Sequence, residues 1–125
     1  MHWDIKTDRP IYTQLIEQIQ LKICSGVYPP GSRLPSVRDL AREASVNPNT
    51  MQRALAELEE AGLLYTHRTS GRFVTEDTDM IKHVKNSLAE KHVQEFLKKM
   101  IELGFDSSEI MSIISEMMKR EGAET

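Results

Sequence analysis

The sequence holds a single cysteine, Cys24, which excludes a disulfide within the chain and cannot by itself build a thiolate metal site. That cysteine is expected inside a first helix, as a small apolar residue. No apolar run approaches the ~20 residues needed to span a bilayer, so no membrane partner is expected. The opening MHWDIKTDRP has no apolar core and no cleavage-like site, so a secretory signal is not expected there and the cytoplasm is. Internal repeats and low-complexity segments are missing as well. So are a nucleophile–base arrangement, a phosphate-binding glycine loop and a paired-carboxylate cleft, and these absences argue against an enzyme. His83 and His92 stand nine residues apart on one helix, offset across several turns, and no other ligands join them. No metal or cofactor is therefore expected.

A strong charge of one sign is also lacking, since the formal net charge is only −3. Taken alone, that total argues against a nucleic-acid partner. The distribution says more. Residues 1–76 carry nine Lys/Arg and nine Asp/Glu, whereas residues 77–125 carry seven and ten. Between positions 32 and 56, Arg33, Arg38, Arg42 and Arg53 face only Asp39 and Glu43. A partner meets local charge, because screening has a range of about 8 Å at physiological salt.

What the sequence does contain is clear punctuation. Pro10 suits the first position of a helix whose stripe is Tyr12, Leu15, Ile16, Ile19 and Ile23, with Gly26 as a left-handed stop. VYPPGSRLP is a rigid turn. Ser36 caps a short second helix, SVRDLAREA, with Asp39 as an acidic partner in the capping box. After the connector SVN, a third helix runs from Pro48 to about Ala61. Asn47 is its N-cap, Pro48 its first residue and Gly62 its stop. Leu63–Thr66 and Arg72–Thr75 form a hairpin around a polar turn. Two amphipathic helices follow, one over about Asp79–Leu103 and one whose start is marked by Asp106 and Glu109.

Three helices followed by a hairpin, with a three-residue turn between helices two and three, is the layout of a winged helix-turn-helix. The expected fold is therefore mainly α with a small β-hairpin. A winged domain over 1–76 is followed by a helical dimerisation region over 77–125. On the third helix the apolar side is centred between Met51 and Leu58. The opposite side carries Asn49, Gln52, Arg53 and Ala56 first, and Glu57 and Glu60 later. This order suits a helix entering the major groove by its N-terminal end, with carboxylates where the helix lifts away. His67, Arg68 and Arg72 surround a turn with no acidic residue, which suits the minor groove or flanking phosphates. Arg38 is a further candidate, unless Asp39 or Glu43 pairs with it. An ordinary solvated helix face and a plain basic turn are the structural alternatives.

The run from Pro10 to Val74 resembles the DNA-binding domain of the GntR family of bacterial transcription regulators. The parts that carry the resemblance are PIYTQL, PPGSRLPSVRDLA, VNPNT with RAL and LEEAGL, and GRFV. The short two-helix tail resembles the YtrA subfamily, where this region serves mainly for dimerisation. The resemblance implies DNA contacts from Arg38 on the second helix and from Asn49, Thr50, Gln52 and Arg53 at the start of the third. It matches the HRTSGRF turn, with His67, Arg68, Ser70, Gly71 and Arg72, to the wing. Arg33, Ser36 and Asn47 complete the candidate set. Pro48 stands where many members carry an arginine, and Thr69 where the wing often begins with glycine.

The apolar stripe of the tail is Ile81, Val84, Leu88, Phe96, Leu97, Met100, Ile110, Ile113, Ile114 and Met117, more than two helices bury between themselves. A second copy of the chain is the expected cover, since DNA sites are commonly read as two half-sites. Folding back onto the winged domain is the alternative. The tail is too small to enclose a ligand pocket of ~300 Å3 in one subunit. A small-molecule effector stays open, and its identity is not written in the sequence. The function expected is a homodimeric, sequence-specific repressor bound to double-stranded DNA. A winged-helix protein-interaction module without DNA binding is the alternative.

Overall fold

The computed structural model describes residues 3–122. The outermost residues of both expected domains, 1–2 and 123–125, lie outside the described part. The elements run α1 (Ile11–Cys24), α2 (Val37–Ala44), α3 (Pro48–Glu60), β1 (Leu64–His67), β2 (Gly71–Val74), α4 (Thr78–Glu102) and α5 (Ser107–Glu121). The chain divides into two compact units, the first ending at Lys85 and the second beginning at Asn86.

In the first unit, local chemistry accounts for most of the helix ends. Pro10 is the N-cap of α1 rather than its first residue, because its ψ of 132° is extended. Gly26, at φ +86°, ends the helix in the left-handed region. Ser36 caps α2 by accepting the Asp39 N–H at 3.1 Å. The return half of the expected capping box does not form, and the Asp39 carboxylate instead pairs with Arg42 at 3.3 Å. Aspartate is a methylene shorter than the glutamate that usually reaches back. Asn47 accepts the Asn49 N–H at 2.7 Å, with Pro48 at the first helical position of α3. The turn between α2 and α3 closes on Ser45, at φ 58° and ψ 46°, a left-handed conformation without glycine.

β1 and β2 pair antiparallel with Leu64 opposite Val74, Thr66 opposite Arg72 and His67 opposite Gly71. Both strands are shifted by one residue from the expected spans. The turn between them puts positive φ on Gly71, at +101°, and not on Thr69, so a glycine is not required at Thr69. The proline-rich loop contributes more than a turn. Arg33 bridges to Phe73, Leu34 N–H donates to the Arg72 carbonyl at 2.9 Å, and Val74 N–H donates to the Ser32 carbonyl at 2.9 Å. Residues 32–34 thus lie along the outer edge of β2.

Leu15, Ile19, Leu40, Met51, Ala54, Leu55, Leu58 and Val74 form the centre of the core, where α1 and α2 pack on α3 and the hairpin closes the end. Ile81 joins the same core at 8% exposure, and Val84 packs against it. Both were expected in the dimerisation stripe, and both lie in the first unit, which ends at Lys85. Gln14, also buried, holds the N-terminal segment. Its amide accepts from Lys6 N–H at 2.6 Å and donates to the Lys6 and Arg9 carbonyls at 2.7 and 3.0 Å. The Lys22 ammonium sits 3.4 Å from the centroid of the Trp3 ring. Burial pushes the Lys22 pKa down, and Glu43 opposes the shift in part.

In the second unit, α5 begins with a closed capping box. Asp106 accepts the Glu109 N–H at 2.9 Å and Glu109 accepts the Asp106 N–H at 3.0 Å. Ile110 is buried, whereas Phe96, Leu97, Ile113 and Met117 are exposed and Leu88, Met100 and Ile114 are half-buried.

Candidate nucleic-acid interface

The interface is built around α3. Its inner side buries Met51, Ala54, Leu55 and Leu58, and this packing turns Asn49, Gln52, Arg53 and Ala56 to solvent. Fully burying one such side chain contributes roughly 1.5–3 kcal/mol, so the rotation of α3 about its own axis is fixed by the core. Thr50, between the two sides, is half-buried.

Each expected contact residue has a defined local setting. Arg38 is exposed on α2, and among the described residues it has no ion pair, because Asp39 is taken by Arg42. Ser36 and Asn47 use their side-chain oxygens as helix caps. Arg53 is not a free chain on the surface, since its guanidinium carbon lies 3.7 Å from the centroid of the Tyr12 ring on α1. Such stacking contributes about 0.5–1 kcal/mol at exposed sites and holds the cation in place. Tyr12 was expected only as part of the α1 stripe. No local signal marks it as the platform for a residue on another helix.

At the hairpin, Arg68 is exposed at the tip, His67 packs edge-on against Phe73 with ring centroids 6.2 Å apart, and Ser70 N–H donates to the His67 carbonyl at 3.2 Å. Arg33 crosses beneath the turn, with its Nε 3.5 Å from where a Cβ on Gly71 would stand. The turn itself holds no acidic residue, but Arg72 meets one on α3. Its Nε donates to Glu59 at 3.1 Å, and its side chain is only 17% exposed. The Thr66 hydroxyl donates to the same carboxylate. The bond from Thr66 is the main cause holding the Glu59 carboxyl below its ordinary range, and Arg72 adds to it. Arg72 Nη1 continues to Gln52 Oε1 at 3.4 Å. Glu59, hidden in the apolar-to-acidic end of α3, was not among the expected site residues. A cleft of about 310 Å3 separates the loop at Arg33–Val37 from Leu55, Thr66, Gly71 and Arg72.

The family model for bacterial regulatory proteins of the gntR family matches residues 11–74, the span from the start of α1 to the end of β2. The chain belongs to the GntR family. Over 106 residues it is 36% identical to the HTH-type transcriptional regulator YhcF of Bacillus subtilis, covering 85% of this chain and 88% of that one. It is 40% identical over 74 residues to the HTH-type transcriptional repressor YtrA of the same organism, covering 59% of this chain and 57% of that protein. Among solved structures, a GntR family transcriptional regulator from Listeria monocytogenes superposes with a TM-score of 0.85 at 38% identity, covering 90% of this chain and 98% of that one. The winged helix-turn-helix and the two tail helices both fall within that match. AraR(DBD), solved in complex with operator ORX1, superposes with a TM-score of 0.53 at 27% identity, over 60% of this chain and 99% of that one.

The chain is a YtrA-like GntR regulator, and the function class is transcription regulation rather than catalysis. Among the described residues no helix is long and apolar enough to cross a membrane.

Proposed function

We propose that this GntR regulator is a homodimeric, sequence-specific DNA-binding repressor of the cytoplasm. In this reading the first half of α3 enters the major groove, the hairpin touches the flanking backbone, and the helices after Lys85 join two copies across a two-fold operator. The observation that carries it is the outer side of α3. Asn49, Gln52 and Arg53 are exposed at the N-terminal end of a helix whose other side is locked into the core, and its carboxylates Glu57 and Glu60 come later. Arg38 adds a cation on α2 with no ion pair among the described residues. For the dimer, the support is the amount of apolar side chain exposed in one copy of the second unit, including Ile101 at 64% and Met111 at 63%.

Duplex binding measured against salt tests the reading. Neutralising Z phosphates gives a log–log slope near −0.9Z, and Arg38→Ala is expected to make the slope shallower by about one unit if it contacts phosphate. Loss of roughly 1–3 kcal/mol confined to the specific site would instead assign Arg38 to a base edge. A flat salt response, or equal affinity for every duplex, favours a protein-interaction module instead. Ile101→Glu is expected to leave the chain folded and monomeric by sedimentation.

A further inference from the structure

We propose that Arg72 sets the base preference of Gln52 by fixing which end of its amide faces DNA. The proposal rests on the DNA-binding reading above. Thr66 and Arg72 are opposite one another in the β1–β2 register, so their side chains share one face of the hairpin. Gln52 and Glu59 lie seven residues apart on α3, close to two turns, and so share one side of the helix. The two faces meet in a relay. Thr66 donates to Glu59, Arg72 Nε donates to the same oxygen at 3.1 Å, and Arg72 Nη1 donates to Gln52 Oε1 at 3.4 Å.

A guanidinium has donors only. The Gln52 carbonyl must therefore face Arg72, and the NH2 end is the end left to the solvent. Glu59 holds the guanidinium, and the Arg72 side chain is only 17% exposed, so Arg72 acts through Gln52 instead of reaching a base itself.

A free glutamine makes its two-bond contact with adenine by donating to N7 and accepting from N6. With its carbonyl oxygen turned to Arg72, Gln52 directs its two N–H donors outward and points its acceptor away from the base. The base edge that matches two donors is guanine, whose N7 and O6 both accept. Arg72 is thus a positioning residue that turns a side chain suited to adenine into a reader of guanine.

Selection of bound sequences from random duplex DNA by the full-length chain tests this. Gln52→Ala is expected to relax one position per half-site, and in the unaltered chain that position is expected to be guanine. Arg72→Met frees the Gln52 amide, so the guanine-over-adenine preference at that position falls about tenfold or reverses while the other positions keep theirs. Gln52→Glu, at an exposed position of α3 where folding is not at stake, pairs with Arg72 and leaves only acceptors outward. Its expected preference is cytosine, the base that presents the N4 donor. Adenine selected by the unaltered chain at the Gln52 position overturns the proposal. So does an Arg72→Met chain that binds every sequence more weakly with the same preferences. If Arg72→Met does not fold, the Gln52→Glu result decides, and any base other than cytosine overturns the proposal. No salt-dependent binding of the unaltered chain to any duplex would instead overturn the regulator reading beneath it.

Discussion

Replacing Ile81 with alanine separates two roles that one apolar side chain near the start of α4 can serve. If Ile81 belongs to the dimer seam, the loss falls on association. Its place in the core of the first unit, at 8% exposure beside Leu15, Leu58 and Val74 in the same cluster, puts the loss on folding instead. Isoleucine to alanine removes three carbons, and at ~0.8 kcal/mol per buried CH2 the transfer loss alone is about 2.4 kcal/mol. A residual cavity adds to this, and measured large-to-alanine costs run about 2–5 kcal/mol. The position is at the rim of the core, where neighbours relax most easily, so about 2.5–3 kcal/mol is expected. With a slope of ~1 kcal/mol/M in urea for a unit of this size, the midpoint falls by about 2.5–3 M. The assay is urea unfolding of a fragment ending at Lys85, followed by circular dichroism, beside sedimentation of the full chain. An unchanged midpoint in the fragment, with loss of dimer in the full chain, would refute the placement of Ile81 in the first unit's core.

Ser45 holds a left-handed conformation that costs a non-glycine residue roughly 1–2 kcal/mol, while glycine carries an unfolded-state penalty of roughly 0.5–1 kcal/mol. Ser45→Gly is therefore expected to raise stability by about 0.5–1 kcal/mol, read as a higher melting temperature, and a lower one would show that the serine side chain holds the turn. The Glu59 carboxyl lies below its ordinary value of 4.5, chiefly through Thr66. Its contribution is complete above that ordinary value and is lost as pH falls through the folded-state value. Thr66→Val is expected to move the Glu59 titration, followed by NMR, back towards 4.5 and to flatten the acid limb of stability. A Glu59 titration unmoved by that substitution would assign the shift to Arg72.

Much of the framework is legible along the chain because its causes act within four residues. Asn47 with Pro48 starts α3, Gly26 stops α1, and Asp106 with Glu109 starts α5, all through bonds to backbone groups a turn away. The same range explains why Asn49, Gln52 and Arg53 could be placed opposite the buried stripe, since helical periodicity alone separates inner from outer positions. Asp39 shows the limit even of local reasoning, because Arg42 on the next turn competes for its carboxylate.

The sequence by itself determined the helices, the caps at Ser36, Asn47 and Asp106, the hairpin and the outward set on α3. Only the tertiary structure decided the partners: the 32–34 edge beside β2, Tyr12 under Arg53, Glu59 against Arg72, and Ile81 in the winged core. The reason is physical. Burial and hydrogen bonding reward any complementary neighbour, so an isoleucine on a continuous stripe or an arginine at a turn carries no mark of which distant residue it will meet. That choice is made when the chain closes on itself and the core fixes each element's rotation.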